Sequence, residues 1–315
     1  MKICILGAGA LGCAIGGVLA EGGHAVWLVN RRQAHVDALN RHGLIMRQDG
    51  VDRVVAVRAA THCSGVSLVD GPIELLIVLV KSFDTREAIE SAAPMLDART
   101  MVLSLQNGLG HEDVLAEVVG RQRVLAGKTY AGGVMLGAGH ILAGTRGKET
   151  FIGELDGSVS ARVQAVADTL RGAGLSTEVS ENIIATMWDK LLVNVATGAL
   201  SAISGLPYGA LYRVPEIEEC ALAAVAEAMA VAYAGGIALG TTDPRQSWVK
   251  AAAGLPPEFK ASMLQSLEKG SITEVDYVNG AVVSWGVRYG VATPVNRALV
   301  ACVKGVERSL LMKKV

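Results

Sequence analysis

The sequence predicts an α/β N-terminal domain with a mostly parallel sheet, followed by an all-helical C-terminal domain. Three observations support this fold class. Short apolar runs alternate with helical patterns up to about residue 125, which is typical of βαβ units. A glycine-rich turn follows the first apolar run. From residue 182 onward helical patterns dominate, so we predict domains over residues 1–181 and 182–315.

In the first domain, apolar runs alternate with helical patterns. We predict strands over 2–6, 25–29, 75–80, 100–105 and 123–126, and helices over 10–21, 33–41, 85–93 and 112–119. Residues 128–153 are rich in glycine and show a weak two-residue periodicity, which predicts antiparallel strands or loops at a sheet edge. A helix over 160–171 and a last strand over 176–179 complete this domain.

The second domain is predicted to consist of helices, two of which begin near prolines, where proline is tolerated. We predict them over 182–204, 215–235, about 257–269, 272–289 and 294–310. The apolar stretch 221–240 is rich in alanine and carries Glu227 in its middle. A buried or subunit-interface helix therefore explains it better than a bilayer span, and a homodimer through the helical domain is an open alternative.

Composition excludes several classes of function. The formal net charge of −1 leaves no broad basic field for nucleic acid. The five cysteines have no CxxC spacing, and the six histidines all precede residue 141, so we expect no metal site and a reducing, cytoplasmic location. The apolar N-terminus has the length of a signal peptide, but its glycines fall where a tight turn needs them.

The glycine-rich turn predicts a dinucleotide site of the Rossmann type. The first glycine makes a tight turn, the second lets a pyrophosphate approach the backbone, and the third lets the helix pack on the strand. The next helix would offer free N–H groups and its positive dipole end to the phosphates. The predicted cofactor-binding residues here are Gly7, Ala8, Gly9, Ala10, Leu11 and Gly12.

The end of the second predicted strand favours NADP(H). NAD sites usually place a carboxylate there for the ribose 2′-hydroxyl, whereas NADP sites use cations for the 2′-phosphate. This chain has Asn30, Arg31 and Arg32, and no acidic residue from 22 to 34. The alternative is that the two arginines only solvate a loop.

A polar pair interrupts the apolar segment 188–205. Lys190 and Asn194 lie one helical turn apart, on one face. Hydride transfer from a nicotinamide cofactor to a carbonyl group needs a proton donor, and no histidine follows residue 140. A lysine partly desolvated near a domain interface would have a lowered pKa and could serve. Alternatively, Lys190 extends to solvent from the helix end and Asn194 caps a loop.

The whole sequence resembles the ketopantoate reductase (2-dehydropantoate 2-reductase) family. The motifs that carry the resemblance are "GAGALG" with Arg31 behind it, "SLQNGLG" over 104–110, "WDKLLVN" over 188–194, and "SMLQSLEKGSITEVDYVNG" over 262–280 followed by "YGVATPVN". The resemblance implies NADPH-dependent reduction of a 2-ketoacid to a 2-hydroxyacid, first of all of ketopantoate to pantoate in pantothenate biosynthesis.

The resemblance also assigns roles to residues of both domains. Some of them hold the cofactor, some the substrate, and some both. It implies that Lys190 donates the proton and that Asn194 and Ser262 bind the substrate. It implies that Glu274 lies beside nicotinamide and substrate and that Asn107 contacts both ligands. It also implies that Arg31 and Lys81 hold the adenosine phosphate and that Ala131 contacts the cofactor through its backbone.

Two positions depart from the family pattern on the substrate side. Gly198 and Tyr208 stand where the family commonly has asparagines. We expect Gly198 to leave space, which indicates the close approach of a ligand, the cofactor or a neighbouring segment. We also expect the Tyr208 phenol to turn toward this space, and both changes would alter the ranking of 2-ketoacids. A sister 2-hydroxyacid dehydrogenase of the mandelate type is therefore the alternative within enzymes. A non-catalytic dinucleotide sensor is the remote alternative, since it has no reason to keep Lys190 and Asn194.

Overall fold

The computed structural model of the protein describes residues 1–69 and 71–312. They form two compact units. The first contains Met1–Gln106 and His111–Ile183, and the second begins at Ile184. The short loop Asn107–Gly110 packs with the second unit although it interrupts the first in sequence. The predicted division at residue 181 had assigned this loop to the N-terminal domain.

A mostly parallel sheet forms the centre of the first unit, as predicted. The strands of this unit are β1 (Lys2–Leu6), β2 (Ala25–Val29), β3 (Leu44–Gln48), β4 (Val51–Val55), β5 (Arg58–Ala60), β6 (Leu75–Val78), β7 (Met101–Ser104), β8 (Val124–Thr129), β9 (Gly132–Gly137), β10 (His140–Gly144), β11 (Thr150–Glu154) and β12 (Thr177–Val179). Eight strands belong to the central sheet, in the order β12-β11-β8-β7-β6-β1-β2-β5. The pairing of β8 with β11 is antiparallel, and the other neighbours are parallel.

Helices cover both faces of this sheet. They are α1 (Ala10–Glu21), α2 (Gln33–His42), α3 (Thr85–Ala92), α4 (His111–Val119) and α5 (Ala161–Gly172). Successive residues of β1 point to opposite faces, so Ile3 and Ile5 join one buried cluster and Cys4 and Leu6 the other. Burial on both faces explains why β1 is a continuous apolar run.

A second sheet packs on α1; its antiparallel strands β9 and β10 lie in the segment 128–153 where such strands were predicted, whereas β3 and β4 were not predicted. It has the order β4-β3-β10-β9. Its β3–β4 turn holds Asp49 and Gly50, both with positive φ, as a two-residue hairpin requires. A Cβ on Gly16 would lie 2.6 Å from Leu28 of the main sheet, and one on Gly17 would lie 2.2 Å from Met46 of the small sheet. This glycine pair therefore allows α1 to lie between two sheets.

The second unit is helical, as predicted. Its helices are α6 (Ile183–Ser204), α7 (Tyr208–Leu211), α8 (Pro215–Ala234), α9 (Pro244–Ala252), α10 (Ser262–Glu268), α11 (Asn279–Tyr289) and α12 (Pro294–Met312). The prediction missed α9, although Asp243 caps it by accepting from the N–H of Arg245 and Pro244 follows at its first position. The predicted helix over 272–289 is only partly correct, because 275–277 form a short 3-10 turn.

Two apolar helices of this unit are core elements. Within the described residues, α6 is long and apolar enough to cross a bilayer by length and composition, but 67% of its most apolar window is buried inside the protein. One face of α8 is buried as well, including Ala221, Ala224, Ala228 and Ala232. Its Glu227 accepts the N–H groups of Val295 at 2.8 Å and Asn296 at 2.9 Å, so the carboxylate caps the N-terminus of α12.

Candidate active site

The turn after β1 is built so that its first and last glycines cannot carry a side chain. Gly7 has a φ of +102°, and a Cβ on it would lie 2.4 Å from the backbone N of Val80. A Cβ on Gly12 would lie 2.4 Å from the carbonyl oxygen of Gly7. The first contact sets the turn against the end of β6, and the second sets α1 against the turn.

The middle glycine has the opposite environment. A Cβ on Gly9 would meet no atom of the described chain within 4 Å. The first N–H groups of a helix have no acceptor within the helix itself. Among the described residues, no side chain caps the N-terminus of α1 in their place. Open space over Gly9 beside free N–H groups and a positive helix end fits a pyrophosphate.

Asn30 holds this loop in place, a role that the sequence analysis did not foresee. Its Nδ2 donates to the carbonyl oxygen of Ala8 at 2.7 Å, and its Oδ1 accepts from the N–H of Arg32 at 2.9 Å. Asn30 therefore links the phosphate loop to the arginines after β2. Both groups are neutral, and the side chain adds no charge that would repel a phosphate.

Arg31 is not an isolated cation. Its guanidinium lies 2.5 Å from the carboxylate of Asp84, which precedes α3. The N–H of Asp84 donates to the carbonyl oxygen of Lys81 at 2.8 Å. Asp84 thus joins the two residues that were predicted to hold the adenosine phosphate, Arg31 and Lys81. Arg32 is exposed next to them.

Ala131 lies beside the phosphate loop, but its N–H is engaged. That group donates to Oγ1 of Thr129 at 3.0 Å. Gly133, two residues further, packs so closely on α1 that a Cβ would lie 2.8 Å from the carbonyl oxygen of Ala10. A backbone contact from Ala131 to a cofactor would therefore use its carbonyl oxygen.

In the second unit, α6 presents its polar pair on a partly exposed face. Lys190 and Asn194 are half-buried, whereas Leu191 and Leu192 between them are buried. Neighbours fix this helix: Trp188 packs edge-to-face on Trp285 of α11, with ring centroids 5.8 Å apart. The face that carries Lys190 and Asn194 is thus held in one orientation.

The expectation that Gly198 leaves open space is wrong, and of the three predicted close approaches the structure shows that of a neighbouring segment. A Cβ on Gly198 would lie 3.2 Å from Cε and 3.4 Å from Sδ of Met263. The neighbouring segment, rather than a substrate, makes the close approach. Met263 follows Ser262, the exposed first residue of α10, so this contact also brings Ser262 to the α6 surface one turn beyond Asn194.

The expected position of the Tyr208 phenol is wrong as well. Tyr208 is buried, and its hydroxyl lies 2.9 Å from Oγ1 of Thr197. Burial raises the pKa of Tyr208, so the hydroxyl stays protonated. Its ring packs edge-to-face on Phe259, with centroids 5.2 Å apart. The phenol is therefore committed to the packing of α6 and α7.

The loop with Asn107 is docked on the segment with Glu274. The N–H of Leu109 donates to the carbonyl oxygen of Tyr277 at 3.1 Å, and Gly108, with a φ of +99°, has no room for a Cβ beside the same carbonyl. Two predicted ligand-binding residues, Asn107 and Glu274, therefore lie on adjoining segments. The chain brings them together although α4, β8–β12 and α5–α10 separate them in sequence.

A buried carboxylate of α12 and a half-buried carboxylate of α8 hold the Glu274 segment in place. Glu307 of α12 accepts both the N–H and the hydroxyl of Thr273, each at 2.7 Å. Asn279 donates to the side chain of Asn296 at 2.9 Å, which in turn donates to Glu227 at 2.8 Å. These bonds fix the backbone on both sides of Glu274.

Several of these residues carried no signal in the sequence. Asp84, Glu307 and Met263 act through partners far along the chain, and their residue types are ordinary for exposed or core helix positions. Asn30 was noted only for its position after a strand. The partners of these residues could be identified only from the three-dimensional structure.

Comparison with known proteins identifies the family. The model described as "Ketopantoate reductase PanE/ApbA" matches residues 3–157, and the model of its C-terminal part matches residues 182–307. The chain belongs to the PanE/ApbA ketopantoate reductase family. Among curated relatives, it is 36% identical to 2-dehydropantoate 2-reductase of Halobacterium salinarum over 98% of this chain and 99% of that one. The enzyme of the same name from Archaeoglobus fulgidus is 33% identical over the same shares.

Solved structures include both candidate classes. A PanE/ApbA family ketopantoate reductase from Ralstonia eutropha has a TM-score of 0.89 and 35% identity, covering 99% of this chain and 100% of its own. D-mandelate dehydrogenase with NADH and anilino(oxo)acetate also has a TM-score of 0.89, at 28% identity, covering 98% and 99% of the two chains. Backbone similarity therefore does not choose between the two substrates.

Proposed function

We propose that the protein is an NADPH-dependent 2-ketoacid reductase that converts 2-dehydropantoate to pantoate, the reaction named for its curated relatives. The observation that carries this proposal is the half-buried pair Lys190 and Asn194 on an apolar helix of a family member. A dinucleotide sensor without catalysis would need the phosphate loop but no such pair. We infer a role in pantothenate biosynthesis in the cytoplasm, and the names of the curated relatives support this inference.

The cofactor is held by the first unit. Gly9 and the first turn of α1 would take the pyrophosphate, while Arg31 and Lys81 would take the adenosine 2′-phosphate. When bound, NADPH supplies the hydride that reduces the substrate carbonyl carbon. The remaining predicted cofactor contacts are Gly7, Ala8, Ala10, Leu11, Gly12, Asn107, Ala131 and Glu274.

The second unit supplies the groups that bind and protonate the substrate. Lys190 donates a proton to the carbonyl oxygen, and its positive charge stabilises the negative charge that develops there. Asn194 donates its amide hydrogens to a substrate oxygen, and Ser262 binds the carboxylate end. Glu274, on its braced segment, accepts a hydrogen bond from Lys190 or a ligand hydroxyl.

The cofactor part is tested by Gly9→Ala. The φ of Gly9 is −75°, which alanine adopts without strain, and the added methyl group enters open space in the free protein. We expect an unchanged melting temperature and an NADPH affinity reduced about tenfold or more, because the methyl group occupies the path of the pyrophosphate. Gly172→Ala, which also fills open space but lies at the end of α5, is the control. Unchanged NADPH binding in Gly9→Ala would show that no ligand approaches this glycine.

The reaction is tested by NADPH oxidation over a panel of 2-ketoacids, with the product identified. We expect ketopantoate to have the highest kcat/KM and to give pantoate in equal amount to the NADPH oxidised. Binding of NADPH without turnover of any 2-ketoacid would favour the sensor.

A mandelate-type 2-hydroxyacid dehydrogenase is the second candidate, and one observation favours it. Beside Asn194, the α6 face continues into Gly198 covered by the apolar side chain of Met263, where the family commonly has an amide. The position therefore offers no amide to a substrate hydroxyl, which would suit a 2-ketoacid with an aromatic or apolar side chain. A kcat/KM for phenylglyoxylate above that for ketopantoate in the same panel would establish this candidate.

Assembly is a separate proposal. The helical unit exposes large apolar side chains, including Val249 at 60% and Val287 at 70%, and a homodimer through this unit would cover them. Light scattering at catalytic concentrations tests this, and a monomer mass would refute it.

A further inference from the structure

The ion pair between Arg31 and Asp84 crosses the strand that carries the phosphate loop. Arg31 follows β2, and Asp84 lies between β6 and α3. In the sheet, β1 lies between β2 and β6. The contact of 2.5 Å therefore bridges the two strands that flank β1, at the carboxyl end where the loop begins.

Of the two partners, Asp84 is the fixed one. The next residue, Thr85, is buried; its hydroxyl donates to the carbonyl oxygen of Ser82 and accepts from the buried amide of Gln106, both at 2.8 Å. The Asp84 side chain is 20% exposed, whereas that of Arg31 is 66% exposed. The carboxylate of Asp84 is thus held in place at this edge of the sheet, whereas the guanidinium of Arg31 can move.

A carboxylate at this place acts in opposite ways on the two nicotinamide cofactors. The 2′-phosphate of NADPH is repelled by Asp84 and competes with it for Arg31. The 2′-hydroxyl of NADH can donate a hydrogen bond to the same carboxylate. No acidic residue follows β2 directly, but the loop after β6 places the carboxylate of Asp84 at this position.

We propose that Asp84 is a specificity-determining residue, whose carboxylate limits the preference for NADPH that Arg31, Arg32 and Lys81 create and enables the use of NADH. This inference rests on the proposed function, since it assumes that the first unit binds a nicotinamide cofactor at this edge.

Asp84→Asn tests the proposal, with kcat/KM and dissociation constants measured for both cofactors. We expect the NADPH/NADH ratio of kcat/KM to rise about tenfold to a hundredfold, through tighter NADPH and weaker NADH, with kcat nearly unchanged. Asp84→Glu, which keeps the charge, should retain a ratio close to that of the unmodified protein. Asp37→Asn is the matched control, because it removes the same charge from an aspartate paired with Arg41 at 3.4 Å on α2.

The possible results separate the inference from the proposed function. An unchanged ratio in Asp84→Asn would overturn the inference, and a lower ratio would show that Asp84 only positions Arg31 for the phosphate. In the Arg31→Ala background, Asp84→Asn should still weaken NADH, because the hydroxyl contact does not need Arg31; an unchanged NADH affinity there would count against the proposal. If the unmodified protein binds neither cofactor, the proposed function fails and the inference with it.

Discussion

The two proposed ligand-binding regions of the protein are built in different ways. The phosphate loop is a run of six residues, from Gly7 to Gly12, whose backbone is proposed to bind the cofactor. The proposed Lys190 region combines side chains from α6, α10, the turn before α11 and a loop inserted between β7 and α4. A loop that acts through its backbone loses its function when a substitution prevents its close packing. A region that acts through side chains loses its function when a single chemical group is removed. The predictions at Lys190, Gly7 and Gly198 test this difference.

The largest effect is expected in the side-chain region. Lys190→Ala should lower kcat by roughly 10²–10⁴, the usual contribution of a general acid, because the alkoxide loses both its proton donor and its nearby charge. The dissociation constant of NADPH should not change, since the phosphate loop belongs to the first unit. Stopped-flow reduction of ketopantoate and a fluorescence titration measure the two quantities.

The control for this variant is Lys260→Ala, which removes a surface lysine paired with Glu268. Turnover of Lys190→Ala close to that of the unmodified enzyme would place the proton donor elsewhere.

The second effect concerns the backbone of the loop. Gly7→Ala should reduce the free energy of unfolding by about 3 kcal/mol, from a φ of +102° and a Cβ contact of 2.4 Å with backbone. Gly23→Ala separates the two causes, because Gly23 has a φ of +84° with open space around it. That control should lose only about 1 kcal/mol. Equal losses in urea unfolding would mean that the contact with Val80 does not matter.

These two regions also show what the sequence can predict. The bounds of β1, β2 and α1 and the roles of Gly7 and Gly12 follow from nearby residues: Gly12 touches Gly7, and strand and turn are continuous. Strands β3 and β4 of the small sheet were missed because β3 pairs with β10, far along the chain, and no local periodicity encodes that pairing. Segment 272–278 has a helical pattern, but Glu307 binds the N–H of Thr273 and holds it in another conformation.

The side-chain region could be located only through the family resemblance. Lys190 and Asn194 stand out because their helix is otherwise apolar, but nothing near Ser262 or Glu274 announces a site. The same limit explains both errors on the substrate side. Whether Gly198 is open depends on Met263, and the direction of the Tyr208 phenol depends on Thr197.

A third prediction uses pH to probe the first unit. Glu112, in the first turn of α4, is buried; burial raises its pKa to about 7, and among the described residues its Oε1 has no hydrogen-bond partner. Because the pKa of Glu112 in the folded state lies above the ordinary glutamate pKa of 4.5, the folded state binds more protons between these two values, and stability falls as pH rises through that window. Glu112→Gln should therefore be more stable than the unmodified protein at pH 8, by about 2 kcal/mol, and the difference should vanish near pH 4.5.

Asp113→Asn is the control for this variant, since Asp113 is the adjacent exposed carboxylate. Urea unfolding at several pH values measures the difference. A constant gain at all pH values would mean that Glu112 does not titrate on folding.

The smallest effect is expected at Gly198, a residue of the side-chain region whose role, like that of the loop glycines, depends on close packing of its backbone. Alanine in a helix interior is favoured over glycine by about 1 kcal/mol, but a Cβ there would lie 3.2 Å from Cε of Met263, which must shift by a few tenths of an ångström. We therefore expect Gly198→Ala to change the free energy of unfolding by less than about 0.5 kcal/mol and to leave the ranking of 2-ketoacids unchanged. In the Met263→Ala background the same substitution should gain the full helix preference of about 1 kcal/mol, because the opposing side chain is gone. Gains of equal size in the two backgrounds would show that Met263 does not restrict this position, and a changed substrate ranking in Gly198→Ala would restore the glycine as a contact of the substrate.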